Sequence, residues 1–352
     1  MIKLPGLIDI HVHLRTPGQE EKEDFYTGTS AALAGGFTTV LDMPNNKVPI
    51  TTLDLLEEKI ELAKKDIVCD LGFYFGSLGD NLEEFEGVKT LVFGIKLYLN
   101  ITTGNFLIDS EKLTKIYESW PSDQPILLHC EGETIPMALE VIRTTKKRTH
   151  ICHVSSQEEL SMIMAAKEEG LPITCGVTPH HLFLTEEDAK RLGPYGHMKP
   201  YLKTQLDVNF LWENLDKIDV IESDHAPHTK KEKDSSNPPF GVPGLETTLP
   251  LLLTAVSEGK LSMDDIKRLL HTNPAKIFNV PTDDATHVEV DENEEYEIKN
   301  EDLKTKCGWS PFDGWKVKGK VKTVYLRGEK IFENGKILAE KGSGKILNPT
   351  GE

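Results

Sequence analysis

The chain has 352 residues, 38% of them hydrophobic, and a formal net charge of −17. So acidic a chain argues against a nucleic-acid binder or a protein held on an anionic membrane, and no apolar run is long enough to span a bilayer. The length allows one large α/β barrel or two ordinary domains, with apolar residues enough for a sizeable core. Five scattered cysteines (Cys69, Cys130, Cys152, Cys175, Cys307), an odd number, point to reduced thiols and a cytoplasmic protein. No signal-like segment opens the sequence. Only Met1 to Gly6 precede the first expected strand, which is the texture expected of an excised domain or a trimmed chain.

In chain order, short apolar runs alternate with amphipathic stretches. Strands are expected at 7–13, 38–43, 70–76, 92–99, 126–129, 149–153, 173–177 and 220–223. Helices are expected between them at 25–34, 53–65, 110–119, 133–145, 156–169 and 204–214, with another at 245–258 after the eighth strand. Near-continuous apolar strands separated by helices mean parallel strands buried on both faces. Eight of them predict an α/β fold of the (β/α)₈ TIM-barrel type, with its active site at the C-terminal strand ends. A doubly wound open sheet is the alternative, but no glycine-rich phosphate fingerprint follows the first strand. Beyond closing helices at 262–270 and 274–278 the texture changes. Residues 283–302 read as acidic loops with short strands. Residues 317–326 and 329–338 read as a hairpin around Asn334-Gly335, and the tail from 341 reads as frayed. The expected domains are a barrel over residues 1–280 and a small C-terminal β-rich appendage over 281–352.

Polar residues stand at the ends of several expected strands. His11 and His13 lie two apart on the first strand, so they project side by side about 7 Å apart, a spacing that suits two imidazoles on one metal ion. Lys96 sits inside an otherwise apolar fourth strand, where an unpaired ammonium is costly. A carboxylate partner is the plain explanation. Conversion to a carbamate by carbon dioxide, giving an anionic metal bridge, is the sharper one. His129 and His153 end the fifth and sixth strands, and Asp224 ends the eighth. In a barrel these six residues converge. His11, His13 and Asp224 would bind one ion, His129 and His153 a second, and modified Lys96 would bridge them. Imidazole and carboxylate ligands fit zinc best, with manganese or cobalt as workable substitutes. Two ions roughly 3.5–4 Å apart activate water and polarise a carbonyl, and Asp224 would carry the proton to a leaving nitrogen. The expected chemistry is metal-assisted amide hydrolysis or its reverse.

These residues closely resemble the dihydroorotase family of the amidohydrolase superfamily. The resemblance rests on the Gly6–Arg15 stretch with its His-x-His, Asp42-Met43-Pro44-Asn45, Gly94-Ile95-Lys96-Leu97-Tyr98, Pro179-His180-His181, Ser223-Asp224-His225-Ala226-Pro227-His228 and Pro243-Gly244-Leu245-Glu246-Thr247. It runs through nearly the whole chain. It is most evident toward the dihydroorotase domain of the animal multifunctional pyrimidine-biosynthesis polypeptide. The resemblance implies reversible cyclisation of N-carbamoyl-L-aspartate to L-dihydroorotate, zinc and a carbamylated Lys96. It implies that Arg15, Asn45 and His228 bind the substrate carboxylate, which an arginine fork suits. Backbone groups near Pro243 and Gly244 would hold the ring amide. The loop from Asn100 to Asn105 would close over the substrate, with Thr102 touching it. A homodimer is implied, as is fusion to, or association with, carbamoyl-phosphate synthetase and aspartate transcarbamoylase.

The chain also departs from the family. The N-terminal strands that usually pair with the appendage are expected to be missing. Gly176 stands where many relatives carry a glutamate that, with a cysteine matched by Cys152, helps hold a third zinc in the animal domain. Regular strand alternation, unless a bulge breaks it, turns Cys152 away from His153, so two zinc ions are expected and at most a weak third. A dihydropyrimidinase or allantoinase is the rival within the superfamily, disfavoured by Arg15 and Asn45. An inactive scaffolding domain is the other rival, disfavoured because all six ligand positions are kept.

Overall fold

A computed structural model describes residues 1–102 and 107–351. Strand β1 (Ile2–Pro5) precedes the barrel. The barrel strands are β2 (Leu7–Val12), β3 (Phe37–Asp42), β4 (Asp70–Phe73), β5 (Phe75–Gly76), β6 (Ile95–Tyr98), β7 (Ile126–His129), β8 (Thr149–Ile151), β9 (Ile173–Val177) and β10 (Val220–Ile221). They form two parallel arcs, β2-β3-β4 and β10-β9-β8-β7-β6-β5. β4 and β5 are one barrel strand interrupted at Tyr74. The other seam closes where Val12 bridges to His225 and the His13 N–H donates to the His225 carbonyl at 2.8 Å. The expected eight-stranded barrel is therefore present.

The strands form where expected because both their faces are buried, so apolar side chains are favoured at every position. Helix starts are marked by side-chain caps. Asp24, Ser156, Thr204 and Ser262 each close a capping box on the backbone three residues on. One apolar cluster lies between strands and helices. A second, with Ile8, Ile10, Leu41, Tyr74, Phe93 and Leu127, packs against Phe278 and Val280 of the segment after the barrel.

The appendage is a five-stranded sheet in the order β1-β11-β12-β13-β14, where β11 is His287–Glu297, β12 Lys316–Leu326, β13 Glu329–Glu333 and β14 Lys336–Ile337. Three expectations are corrected here. The N-terminal strand is not missing, because Ile2–Pro5 pairs antiparallel with β11 from Ile2↔Val290 to Pro5↔His287. The acidic segment is not loops with short strands but the eleven-residue β11. Its carboxylates face a lysine-rich partner, with Asp291 opposite Lys320, Glu295 opposite Lys318 and Glu297 opposite Lys316. Opposite charges across a ladder stabilise pairing that neither strand's own composition announces. The sheet seats closely on the helix Leu245–Ser257: Gly319 has φ +100, and a Cβ there would lie 2.6 Å from Leu253 Cδ1.

The tail is not frayed. The break at Tyr74 leaves one edge of β4 open, and residues 342–347 complete it. Leu71 N–H donates to the Lys345 carbonyl at 2.9 Å, and Leu347 N–H to the Leu71 carbonyl at 2.8 Å. Arg327 Nη1 holds both Asp70 carboxylate oxygens, at 2.8 and 2.6 Å, and Asp70 also accepts from Lys345 N–H at 2.9 Å. Replacing Arg327 with Ala should cost about 1–2 kcal/mol, the lower part of the range for charged hydrogen bonds because the arginine is partly exposed. A lower urea midpoint and faster proteolysis after residue 340 are the expected readings.

Candidate active site

All six expected ligands arrive at the C-terminal ends of barrel strands. His11 lies in β2 and His13 just past it. Lys96 is in β6, His129 ends β7, and His153 and Asp224 lie just beyond β8 and β10. The His11 ring centroid is 5.3 Å from both His13 and His153, and His129 is 4.6 Å from His153. Asp224 Oδ1 lies 3.3 Å from His11 Nε2 and 3.0 Å from His13 Nε2. His129 Nδ1 and His153 Nε2 converge at 3.0 Å. Strands on opposite sides of a closed barrel bring these groups to one point.

The remaining ring nitrogens are oriented from behind. Glu222 Oε2 lies 3.0 Å from His11 Nδ1, Asn45 Oδ1 2.7 Å from His13 Nδ1, and Glu131 Oε1 2.9 Å from His129 Nε2. Such partners fix tautomer and ring orientation in metal sites.

The electrostatics fit a cation. Lys96 is fully buried. Among the described residues no carboxylate pairs with it. Its Nζ lies 3.6 Å from Cys152 Sγ and 4.5 Å from the Tyr98 ring centre. Burial opposes charge on Asp224, yet His11 and His13 hold its carboxyl well below the usual range. Burial pushes His13 down to about 3 and His180 to about 4, so both rings are neutral and able to donate a lone pair. Both nitrogens of neutral His13 face oxygens, so one contact sets lone pair against lone pair. A cation there relieves it. His11 is also buried, but Asp224, Cys152 and Glu222 hold its pKa up at about 10, a positive charge kept in the centre of the cluster. His153 Nδ1 is buried without a hydrogen-bond partner among the described residues. Two groups have ligand atoms within 4.8 Å of one another: His11, His153 and Asp224, and His11, Cys152 and Glu222.

The second group corrects the expectation of an isolated Cys152. His153 has φ +40, so the chain leaves strand geometry there, with Cys152 beside His11 and Glu222 and His153 facing His129. A Cβ on Gly176 would lie 2.3 Å from Glu222 Oε1. The space that a side chain at 176 would enter is thus taken by the Glu222 carboxylate, from the neighbouring strand end. Glu222 escaped the sequence reading, although a readable signal existed. Like Lys96, it is a charge at the end of an apolar strand, two residues before Asp224.

Arg15 is buried with φ +64, its Nε–H donating to the Pro227 carbonyl at 3.1 Å. Arg15, Asn45 and Thr102 line the cavity together with Tyr98, Lys199 and Phe240. His228 stands behind Arg15, 3.2 Å from its Nη2. Pro243 and Gly244 do not line the cavity; Ala226 and Gly241 do. The Gly244 N–H is already bound to His225 Nδ1 at 3.2 Å. Residues 103–105 of the expected closing loop lie outside the described residues.

A closed parallel barrel with histidines, a lysine and an aspartate at its strand ends defines a hydrolase of the amidohydrolase type, and the amidohydrolase family pattern matches residues 2–207. The chain is 37% identical over 365 residues to a dihydroorotase of Pyrococcus furiosus, covering 98% of this chain and 84% of that one. It is 47% identical over 347 residues to the multifunctional protein CAD of Squalus acanthias, covering 98% of this chain but 16% of that protein's length. Its fold matches an L-hydantoinase (dihydropyrimidinase) from Arthrobacter aurescens with a TM-score of 0.94 at 27% identity, over 99% of this chain and 89% of the other. The chain belongs to the amidohydrolase family and, within it, to the dihydroorotases.

Gly176→Ala should displace Glu222 and release His11 Nδ1. Outer-shell losses of this kind weaken metal binding about 10–100-fold. Chelator competition should show that loss, with Glu222→Gln behaving alike.

Proposed function

We propose that the chain is a zinc-dependent dihydroorotase, closing N-carbamoyl-L-aspartate to L-dihydroorotate reversibly in de novo pyrimidine biosynthesis. The observation that carries this reading is the complete ligand cluster with buried Arg15 at its edge. The donor set fits two ions, one on His11, His13 and Asp224, the other on His129 and His153. Lys96 as a carbamate would join them, which accounts for a fully buried lysine with no carboxylate partner among the described residues. A third ion would be at most weakly held near Cys152, because Glu222 Oε2 already faces His11 Nδ1 and its Oε1 accepts from the His153 N–H. Zinc bound there supplies Lewis acidity and a lowered water pKa.

The chain's own residues do the rest. Asp224, facing both His11 and His13, takes the proton from the attacking water and passes it to the leaving ring nitrogen; the steps reverse on cyclisation. Arg15, Asn45 and His228 hold the substrate carboxylate, and Thr102, which lines the cavity, touches the substrate. A hydantoinase shares the fold, but its substrate lacks that carboxylate and gives no reason to bury Arg15. An inactive scaffold gives no reason to keep every ligand. The reading extends to a homodimer, and to fusion or association with carbamoyl-phosphate synthetase and aspartate transcarbamoylase; identity to a segment of a multifunctional protein supports the latter.

Zinc-loaded protein should hydrolyse dihydroorotate and leave dihydrouracil untouched; the opposite preference would make it a hydantoinase. Arg15→Met should weaken dihydroorotate use at least about tenfold, since a charge-assisted contact contributes about 1.5–3 kcal/mol, while zinc content stays constant. Lys96→Ala should lose most zinc by elemental analysis, with short carboxylic acids restoring part of the activity. Asp224→Asn should lower the rate by about 10²–10⁴, the range of general acid–base catalysis, in steady-state assays of both directions.

A further inference from the structure

Lys233 is a buried charge that neither the metal cluster nor the proton path uses. It ends the short helix Lys230–Lys233 and is fully buried, and among the described residues no carboxylate pairs with it. Its Nζ instead donates to three backbone carbonyls, those of His197, Pro239 and Gly241, at 3.0 Å each. The Trp309 ring, from the segment between β11 and β12, covers it with its centre 5.4 Å away. Trp309 is itself anchored, because its Nε1–H donates to the His228 carbonyl at 2.7 Å. Burial lowers the Lys233 pKa to about 7. The three carbonyls favour the ammonium, whose three N–H donors match them; a neutral amine would set its lone pair against one of them.

These carbonyls belong to one wall of the active-site cavity. Lys199, Phe240 and Gly241 line the cavity, and they stand on two loops that Lys233 joins. The loops also touch directly. Gly241 N–H donates to the His197 carbonyl at 3.0 Å, His197 Nδ1 lies 3.0 Å from the Pro238 carbonyl oxygen, and the His197 and Phe240 ring centres are 4.2 Å apart. The peptide between Phe240 and Gly241 is held without Lys233, since the Phe240 carbonyl oxygen also lies 2.9 Å from His228 Nε2. The carbonyls on either side of that peptide, of Pro239 and Gly241, have no donor but Lys233 among the described residues. Lys233 therefore sets how the chain enters Phe240 and leaves Gly241, and so how both face the cavity. The fit there is close: a Cβ on Gly241 would lie 2.5 Å from the carbonyl oxygen of Ala226, another lining residue.

We propose that Lys233 is a positioning residue for substrate binding, holding the Phe240–Gly241 wall of the cavity in the shape that receives the substrate. This rests on the dihydroorotase reading above. Lys233 does not line the cavity and acts only through the backbone it holds. With an apolar residue at 233, two carbonyls lose their donor in a buried place and regain hydrogen bonds only if the wall shifts toward water. The wall then spends part of its time in shapes that do not fit the substrate, which weakens binding without touching the metal ligands.

The test uses the zinc-loaded full chain as wild type, Lys233→Met, Lys233→Gln, Phe240→Ala and the double variant Lys233→Met with Phe240→Ala. In dihydroorotate hydrolysis Lys233→Met should raise KM about tenfold, the size of effect expected when a buried carbonyl loses its donor, with kcat within about twofold and zinc content unchanged. Lys233→Gln, which keeps N–H donors on a shorter arm, should fall between wild type and Lys233→Met. Lys233→Met should add little to KM once Phe240→Ala has removed the ring it positions. Hydrogen–deuterium exchange should quicken over residues 195–201 and 239–243 in Lys233→Met and stay unchanged in the barrel strands. Unchanged KM or unchanged exchange in Lys233→Met, kcat or zinc falling together with KM, or full additivity with Phe240→Ala would overturn the proposal. Failure of both Lys233 variants to fold would also overturn it, by making the lysine a purely structural one. A wild type that turns over no dihydroorotate would sink the functional reading instead; the exchange measurement still decides whether Lys233 holds the wall.

Discussion

Burying Lys96, four histidines, Asp224 and Glu222 at one end of a parallel barrel is the constraint on which the rest of the structure depends. In a low-dielectric interior each unpaired charge or lone pair is expensive. The cluster is stable only if every group has a partner or a cation lies among them. Glu222, Asn45 and Glu131 satisfy the outward nitrogens of His11, His13 and His129. The inward nitrogens face one another and Asp224, which is where cationic charge is needed.

That constraint reaches the backbone. Arg15, His153 and Asp224 all have positive φ, a region that costs a side chain energy. Each stands just beyond a barrel strand and turns a functional side chain inward that a regular strand would aim elsewhere. Gly176 answers the same demand differently, by leaving room for the Glu222 carboxylate. Behind the mouth, buried Lys59 donates to the Met43 carbonyl and Asn46 Oδ1, each at 2.9 Å, and pairs with Asp42 at 2.7 Å. It thereby pins the turn that presents Asn45. The site is held by a supporting layer of ionic contacts as much as by apolar packing, the arrangement that keeps ligand geometry within narrow limits.

The appendage is joined to this layer. Glu23 is fully buried; its Oε1 accepts from the Lys306 N–H at 3.0 Å and its Oε2 from Thr305 Oγ1–H, with His225 Nε2 3.3 Å from the same Oε2. His225 is the residue through which β2 closes the barrel, and its Nδ1 binds the Gly244 N–H. The segment between β11 and β12 therefore bears on the residue next to Asp224 through a single carboxylate. β1 and the tail tie the appendage to the barrel from two further directions.

The sequence by itself determined the barrel and the polar residues gathered at its mouth. Strand runs buried on both faces are apolar at every position, so their number and order are legible, and His11, His13, Lys96, His129, His153 and Asp224 stand out against them as misplaced polarity. The dihydroorotase motifs then assigned the chemistry. Tertiary structure decided what depends on neighbours distant in sequence. β11 reads as loop until the lysines of β12 stand opposite its carboxylates, and the tail reads as frayed until the open edge of β4 accepts it. Cys152 reads as turned away until the positive φ of His153 reorients the strand end. Gly176 reads as a lost ligand until Glu222, from another strand, fills the same volume. Local periodicity carries burial and alternation, but it carries no information about which distant charge will occupy a given space.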